Sequence, residues 1–117
     1  MSDINKYIFA IGGGGFTHRK DKSLDNFILS IKNKEILKIG FLPTASKDNF
    51  EKTELFYERF QKTKHTLSHF ELLKKTTGFQ EWVLSNDIIY VGGGDTYFML
   101  EFWKKNNLTN IFRKAYS

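Results

Sequence analysis

Three consecutive glycines, Gly92-Gly93-Gly94, followed by Asp95 and Thr96, are the residues best placed to do chemistry in this 117-residue chain. They follow the β-branched and aromatic run Asp87-Ile88-Ile89-Tyr90-Val91 and precede an apolar-periodic segment, Tyr97 to Asn107. That order reads as a buried strand, a tight turn and a helix. Glycine has no Cβ, so the backbone can come close to whatever sits above the strand. Asp95 and Thr96 can cap the helix. The N–H groups of the turn then point outward as anion or oxyanion donors. The same grammar recurs near the start, where Lys6 to Ile11 reads as a strand ended by Gly12-Gly13-Gly14-Gly15. Two such strands suggest two loops at one site, with Gly13, Gly14 and Gly15 lining it opposite Gly93, Gly94, Asp95 and Thr96. The plainer alternative is that both glycine runs are only tight strand–helix turns.

Other chemistries can be tested against the residues. A dinucleotide fingerprint needs Gly-x-Gly-x-x-Gly, and its last position falls on Thr17, His18 or Tyr97. A Walker loop needs a Gly-Lys pair, which is absent. His65 and His69 have helical metal spacing, but Thr66 stands where a zincin needs glutamate, and a strand there breaks the geometry. Exposed polar histidines are the better reading, and no metal is expected. His18 reads as a solvated loop residue within reach of the site. No serine lies in a Gly-x-Ser-x-Gly elbow. Ser68 and His69 are adjacent, and on a strand would point to opposite faces. No cysteine is present, so disulfides and thiolate sites are excluded. No cofactor is implied.

The elements that must position these residues follow from periodicity. Ser23 can cap a helix with Leu24, Phe27, Ile28 and Ile31 on its apolar face, ending at Asn33-Lys34. Ile36 to Leu42 is an apolar strand suited to a sheet covered on both faces. Pro43 ends it and Thr44-Ala45-Ser46 turns. Asp48 and Glu51 form a plausible capping box for a helix burying Phe50, Phe56, Tyr57 and Phe60. His65 to Leu73 reads as a third strand, with Phe70, Leu72 and Leu73 supporting it. Thr76-Thr77-Gly78 breaks the chain before a helical turn, Phe79 to Leu84, with Trp82 and Val83 inward. After the fourth strand the helix buries some of Phe98, Leu100, Phe102 and Trp103. A last amphipathic helix carries Leu108, Ile111, Phe112, Ala115 and Tyr116. Alternating strands and helices predict an α/β fold, a three-layer parallel sheet, in one domain over residues 1–117. Ligands bind such sheets at the carboxyl ends of the strands.

Composition narrows the partners. The net charge is +5, but the lysines are spread over helix ends and outer faces rather than gathered in a basic block. Nucleic acid is therefore not an expected partner. There is no signal-peptide core and no apolar run of membrane-spanning length, so a cytoplasmic location without membrane contact is the expectation.

Three segments in order carry a family resemblance. Ile8-Phe9-Ala10-Ile11-Gly12-Gly13-Gly14-Gly15-Phe16 resembles the opening of the peptidase E family, the aspartyl-dipeptidase and cyanophycinase group of serine peptidases. Gly40-Phe41-Leu42-Pro43-Thr44-Ala45-Ser46 resembles its second strand and turn. Asp87 to Thr96, with Leu100 to Trp103 after it, resembles its Gly-Gly-Gly-Asn-Thr segment, with Asp95 where asparagine is more usual. Ile111 to Tyr116 is similar to the helix leading into the nucleophile strand. The resemblance implies a glutamine-amidotransferase-like α/β fold, incomplete here because only the amino-terminal half is matched. It implies a serine hydrolase mechanism acting on small aspartyl peptides. The glycines matching Gly93 and Gly94 help form the oxyanion hole in the family. The family serine sits in a Gly-x-Ser-Ala-Gly elbow on the next strand and a histidine farther on is its base. Neither is in this chain, which is therefore expected to be inactive alone.

Two functions compete at this point. One is a segment of a peptidase E-like hydrolase whose nucleophile and base lie elsewhere. The other is a non-catalytic remnant or a small-anion or nucleotide-binding α/β module. A missing fifth strand would leave Ile88 to Val91 as an edge and expose Phe98, Trp103, Ile111 and Phe112. Self-association or a complementary chain is the expectation from that surface.

Overall fold

The computed structural model describes residues 23–31 and 34–117. The expected strand Lys6 to Ile11, the loop Gly12 to Gly15, His18 and the side chain of Leu24 lie outside the described residues. Helix α1 (Ser23–Ile31) comes first. Strand β1 (Lys38–Leu42) leads through a 3-10 turn (Thr44–Ser46) into α2 (Phe50–Phe60). Strand β2 (Thr66–His69), α3 (Phe79–Ser85), β3 (Ile88–Val91), α4 (Thr96–Lys105) and α5 (Thr109–Tyr116) follow. The described strands form one parallel sheet in the order β2-β1-β3.

The central strand is buried from Ile39 to Leu42, which is why its sequence is apolar without a break. Alternate side chains serve two cores. Leu37, Ile39 and Phe41 pack with Phe56 and Phe60 of α2, and Leu29, Ile88 and Tyr90 border them. On the other face Leu42 packs with Leu72, Phe79, Val83 and Leu108, and Phe102, Trp103, Ile111 and Phe112 border that cluster. The sheet is thus covered by helices on both sides, the three-layer α/β architecture. Phe41 and Phe56 stack at 5.2 Å between ring centroids. Burying such a ring contributes about 1.5–3 kcal/mol each. A buried ion pair ties the first layer together. Arg59 Nη1 donates to Asp25 Oδ2 at 2.8 Å, and Tyr90 Oη donates to Asp25 Oδ1 at 3.2 Å. Burial first, and the Asp25 charge second, push the Tyr90 hydroxyl far above its ordinary pKa.

Several local expectations are corrected. The cap of α2 is Asn49, whose Oδ1 accepts from the Lys52 N–H, not an Asp48–Glu51 box. Asp48 is recruited elsewhere: its Oδ2 accepts from the Leu73 N–H at 2.9 Å. Phe50 is 69% exposed, because it opens the helix and the buried row starts at Thr53. Phe27 is exposed as well, while Ile28 is buried. The strand expected over His65 to Leu73 is only Thr66–His69. Phe70 still donates its N–H to the Phe41 carbonyl while its ring packs on Phe79 and Trp82, and Leu72 enters the second core. On α4 the buried residue is Met99, and Leu100 is exposed. Phe98, Trp103, Ile111 and Phe112 are half-buried rather than exposed, with the Trp103 and Phe112 rings 4.4 Å apart. Tyr116 points outward. Among the described residues no helix is long and apolar enough to cross a membrane.

Candidate functional site

The glycine loop stands at the carboxyl end of β3, beside the turn that ends β1. Two of its amides are anchored to that neighbour. Gly92 N–H donates to the Leu42 carbonyl at 3.0 Å, and Asp95 N–H donates to the Ala45 carbonyl at 2.7 Å. Between them, the N–H groups of Gly93 and Gly94 have no hydrogen-bond partner among the described residues. The loop is therefore held at both ends and open in the middle.

Each glycine answers to a different constraint. A Cβ on Gly94 would collide with the Ala45 carbonyl, 2.6 Å from its carbon, and φ is +148° there. Only glycine tolerates both conditions. A Cβ on Gly92 would press the Phe41 ring at 3.0 Å. A Cβ on Gly93 would meet nothing within 4 Å among the described residues.

The flanking side chains hold the loop in place. Asp95 caps α4, its Oδ1 accepting from the Phe98 N–H at 2.9 Å. The carboxylate also suits the positive end of the helix. Thr96, the other residue expected to cap, is instead the first residue of α4 and is exposed. Lys52, in the first turn of α2, donates from Nζ to the Gly93 carbonyl at 3.3 Å. Lys47 Nζ lies 5.1 Å over the Phe98 ring.

The turn under the loop is costly. Lys47 and Asp48 both have left-handed backbones, with φ of 58° and 59°. The Thr44 hydroxyl and Asp48 Oδ1 are buried with no hydrogen-bond partner among the described residues. Burial raises the Asp48 pKa above 3.8, against the lowering effect of the Leu73 N–H. Unfavourable features persist where surrounding structure over-determines them, often where a site must be positioned.

The described serines and histidines are engaged in structure. Ser46 Oγ donates to the Pro43 carbonyl and accepts from the Asn49 N–H. Ser68 Oγ accepts from Trp82 Nε1, while His69 Nδ1 meets Tyr57 Oη at 2.7 Å on the opposite face. His65 Nδ1 accepts from the Leu37 N–H. Among the described side chains no serine hydroxyl is bonded to a histidine. Nor does any group of three or more His, Asp or Glu there have metal-binding placement. Open hollows lie on the outside of α2, around Glu54 and Leu55, and beyond β2, around His69 and Lys74. Neither includes the glycine loop, and neither brings a nucleophile beside a base.

The structure brings Gly93, Gly94, Asp95 and Thr96 together at one strand end. Gly13, Gly14 and Gly15 lie outside the described residues. Lys52 was not singled out by the sequence reading. One signal was available: a cation in the first turn opposes the helix dipole.

Comparison with known proteins places this geometry in context. The family model for peptidase family S51 matches residues 8–117. The uncharacterized peptidase YgaJ of Bacillus subtilis is 42% identical over 113 residues, which are 95% of this chain and 49% of that protein. The chain thus spans about half the length of that curated relative. No solved structure matches it.

Proposed function

Because this chain belongs to peptidase family S51, the peptidase E family, we propose that it supplies the oxyanion-binding part of a serine peptidase site acting on aspartyl dipeptides. The observation that carries this reading is the pair of amides, Gly93 and Gly94, unpartnered among the described residues and lying between two anchored ones. When a nucleophile adds to a peptide carbonyl, the oxygen becomes an anion. Fixed N–H donors stabilise that charge without reorganising, and losing one such donor costs about 3–4 kcal/mol of barrier. The serine of a Gly-x-Ser-Ala-Gly elbow and its histidine base, which the resemblance implies, come from a complementary segment or chain in this proposal. The acyl-enzyme step then runs from serine to carbonyl carbon, with the proton passing through histidine to the leaving amine.

A second reading has its own support. No described serine is activated by a histidine, so the loop could bind a small anion without catalysis.

Turnover separates the two. The purified chain is expected to show no hydrolysis of Asp-Leu above blank. Joined to a family segment carrying the elbow and the histidine, it should hydrolyse Asp-Leu and be stopped by a serine-directed inhibitor. A folded but inactive complemented protein would overturn the peptidase reading.

A further inference from the structure

Among the described residues no backbone hydrogen bond fixes the peptide unit between Gly93 and Gly94, nor the unit before it, and only the former has a side chain on its carbonyl. Gly92 N–H and Asp95 N–H are tied to β1 and its turn. The Gly93 carbonyl and the Gly94 N–H accept or donate no backbone hydrogen bond among the described residues. In a trans peptide these two groups lie in one plane and point in opposite directions. Glycine on both sides lets the plane rotate at little steric cost. Whatever holds the carbonyl therefore decides where the N–H points.

Lys52 Nζ is what holds it, at 3.3 Å. We infer that Lys52 is a positioning residue that locks the Gly93–Gly94 peptide, keeping the Gly94 N–H turned toward the ligand side of the loop. This rests on the oxyanion reading proposed above for its purpose, but not for its geometry. Lys52 is the third residue of α2, where a positive charge is disfavoured by the helix dipole. A local rule broken without a local gain marks a functional position. The ammonium also polarises the peptide it holds, which makes the Gly94 N–H a stronger donor. One lysine thus sets both direction and donor strength without touching the reacting carbonyl.

The test uses the whole chain labelled with 13C and 15N. In the unaltered protein the Gly93 carbonyl carbon should be shifted downfield by the hydrogen bond, with one sharp Gly94 amide resonance. In K52M the carbonyl shift should move upfield and the Gly94 amide should broaden or double. The Gly92 and Asp95 amides, held by β1 and its turn, should stay where they are. K52R should restore the original pattern. K52Q, which keeps a neutral donor, should fall between the two and stands in if K52M does not fold. Unchanged Gly93 and Gly94 resonances in a folded K52M or K52Q protein would overturn the lock. Acetate as an anion probe tests the oxyanion reading separately. Amides that respond to Lys52 substitution but ignore acetate leave the lock standing and remove its proposed purpose. Amides that respond to acetate equally with and without Lys52 keep the oxyanion reading and remove the lock.

Discussion

The two ends of the same sheet are built in opposite ways. At the amino end, side chains close the backbone. Asp87 Oδ2 accepts from the Lys38 N–H at 2.8 Å and Asp87 also pairs with Lys34. His65 Nδ1 accepts from the Leu37 N–H, and the Thr66 and Asp87 amides reach the carbonyls of Leu37 and Lys38. At the carboxyl end, the Gly93 and Gly94 amides are left without partners among the described residues. Satisfying backbone donors is the rule in folded proteins. A pair left open on a loop anchored at both ends is consistent with binding, and parallel sheets bind ligands at this end. The closed end contributes stability; the open end is proposed to contribute function.

Substitutions can break this contrast or sharpen it. The largest effect is expected at Gly94. Gly94→Ala should lower unfolding free energy by about 2–3 kcal/mol, from positive φ and the collision with Ala45. Gly93→Ala, one residue away, should change it by less than about 0.5 kcal/mol, because its Cβ meets nothing among the described residues. Urea unfolding of both variants checks this; equal losses would mean that the loop is not anchored as described.

Asp87→Ala comes next, at about 1.5 kcal/mol, the low end for a hydrogen bond to a charged group in an exposed setting. Asp87→Asn should recover most of it, since the Lys34 pair is exposed and contributes little. Failure of Asn to recover stability would place the effect in the ion pair instead.

The smallest expected effect is at the turn beneath the open end. The Asp48 pKa is raised by burial, so protonation favours the fold. That contribution is full below the unfolded value near 3.8 and is lost as pH rises through the higher folded value. Asp48→Asn keeps an acceptor for the Leu73 N–H and tolerates the left-handed backbone. It should therefore melt slightly above the original protein at pH 7, with the gap closing as pH falls toward 4. A gap that widens on acidification would show that the ionised carboxylate is the stabilising form.

The loop itself was legible because its signals are local. An apolar run, glycines and an Asp at a helix start specify strand, turn and cap within ten residues, and Asp95 caps α4 as its position suggests. Helical periodicity likewise placed Phe56, Phe60, Val83 and Leu108 in the cores. What failed depends on distant partners. Asp48 and Asn49 are both plausible caps; the choice falls to Asn49 while Asp48 bonds to Leu73, 25 residues on. Beyond His69 the expected alternation gives way to contacts with α3, where the Phe70 ring meets Phe79 and Trp82. Lys52 offered only its unfavourable place in a first helical turn, because its partner is a backbone carbonyl 41 residues away. The family match required three segments in order, which no single glycine run supplies.

The anchoring of Gly92 and Asp95 also bears on whether this site can be moved. Residues 88–105 contain every glycine of the loop and the helix cap, yet they do not contain the geometry. The Leu42 and Ala45 carbonyls and the Lys52 ammonium all come from residues 42–52. Copying the glycine segment alone into another scaffold would transfer a motif without its mould. The smallest transferable unit is two segments held in parallel register, Leu42 opposite Val91, so the site is inherited as a pair or not at all.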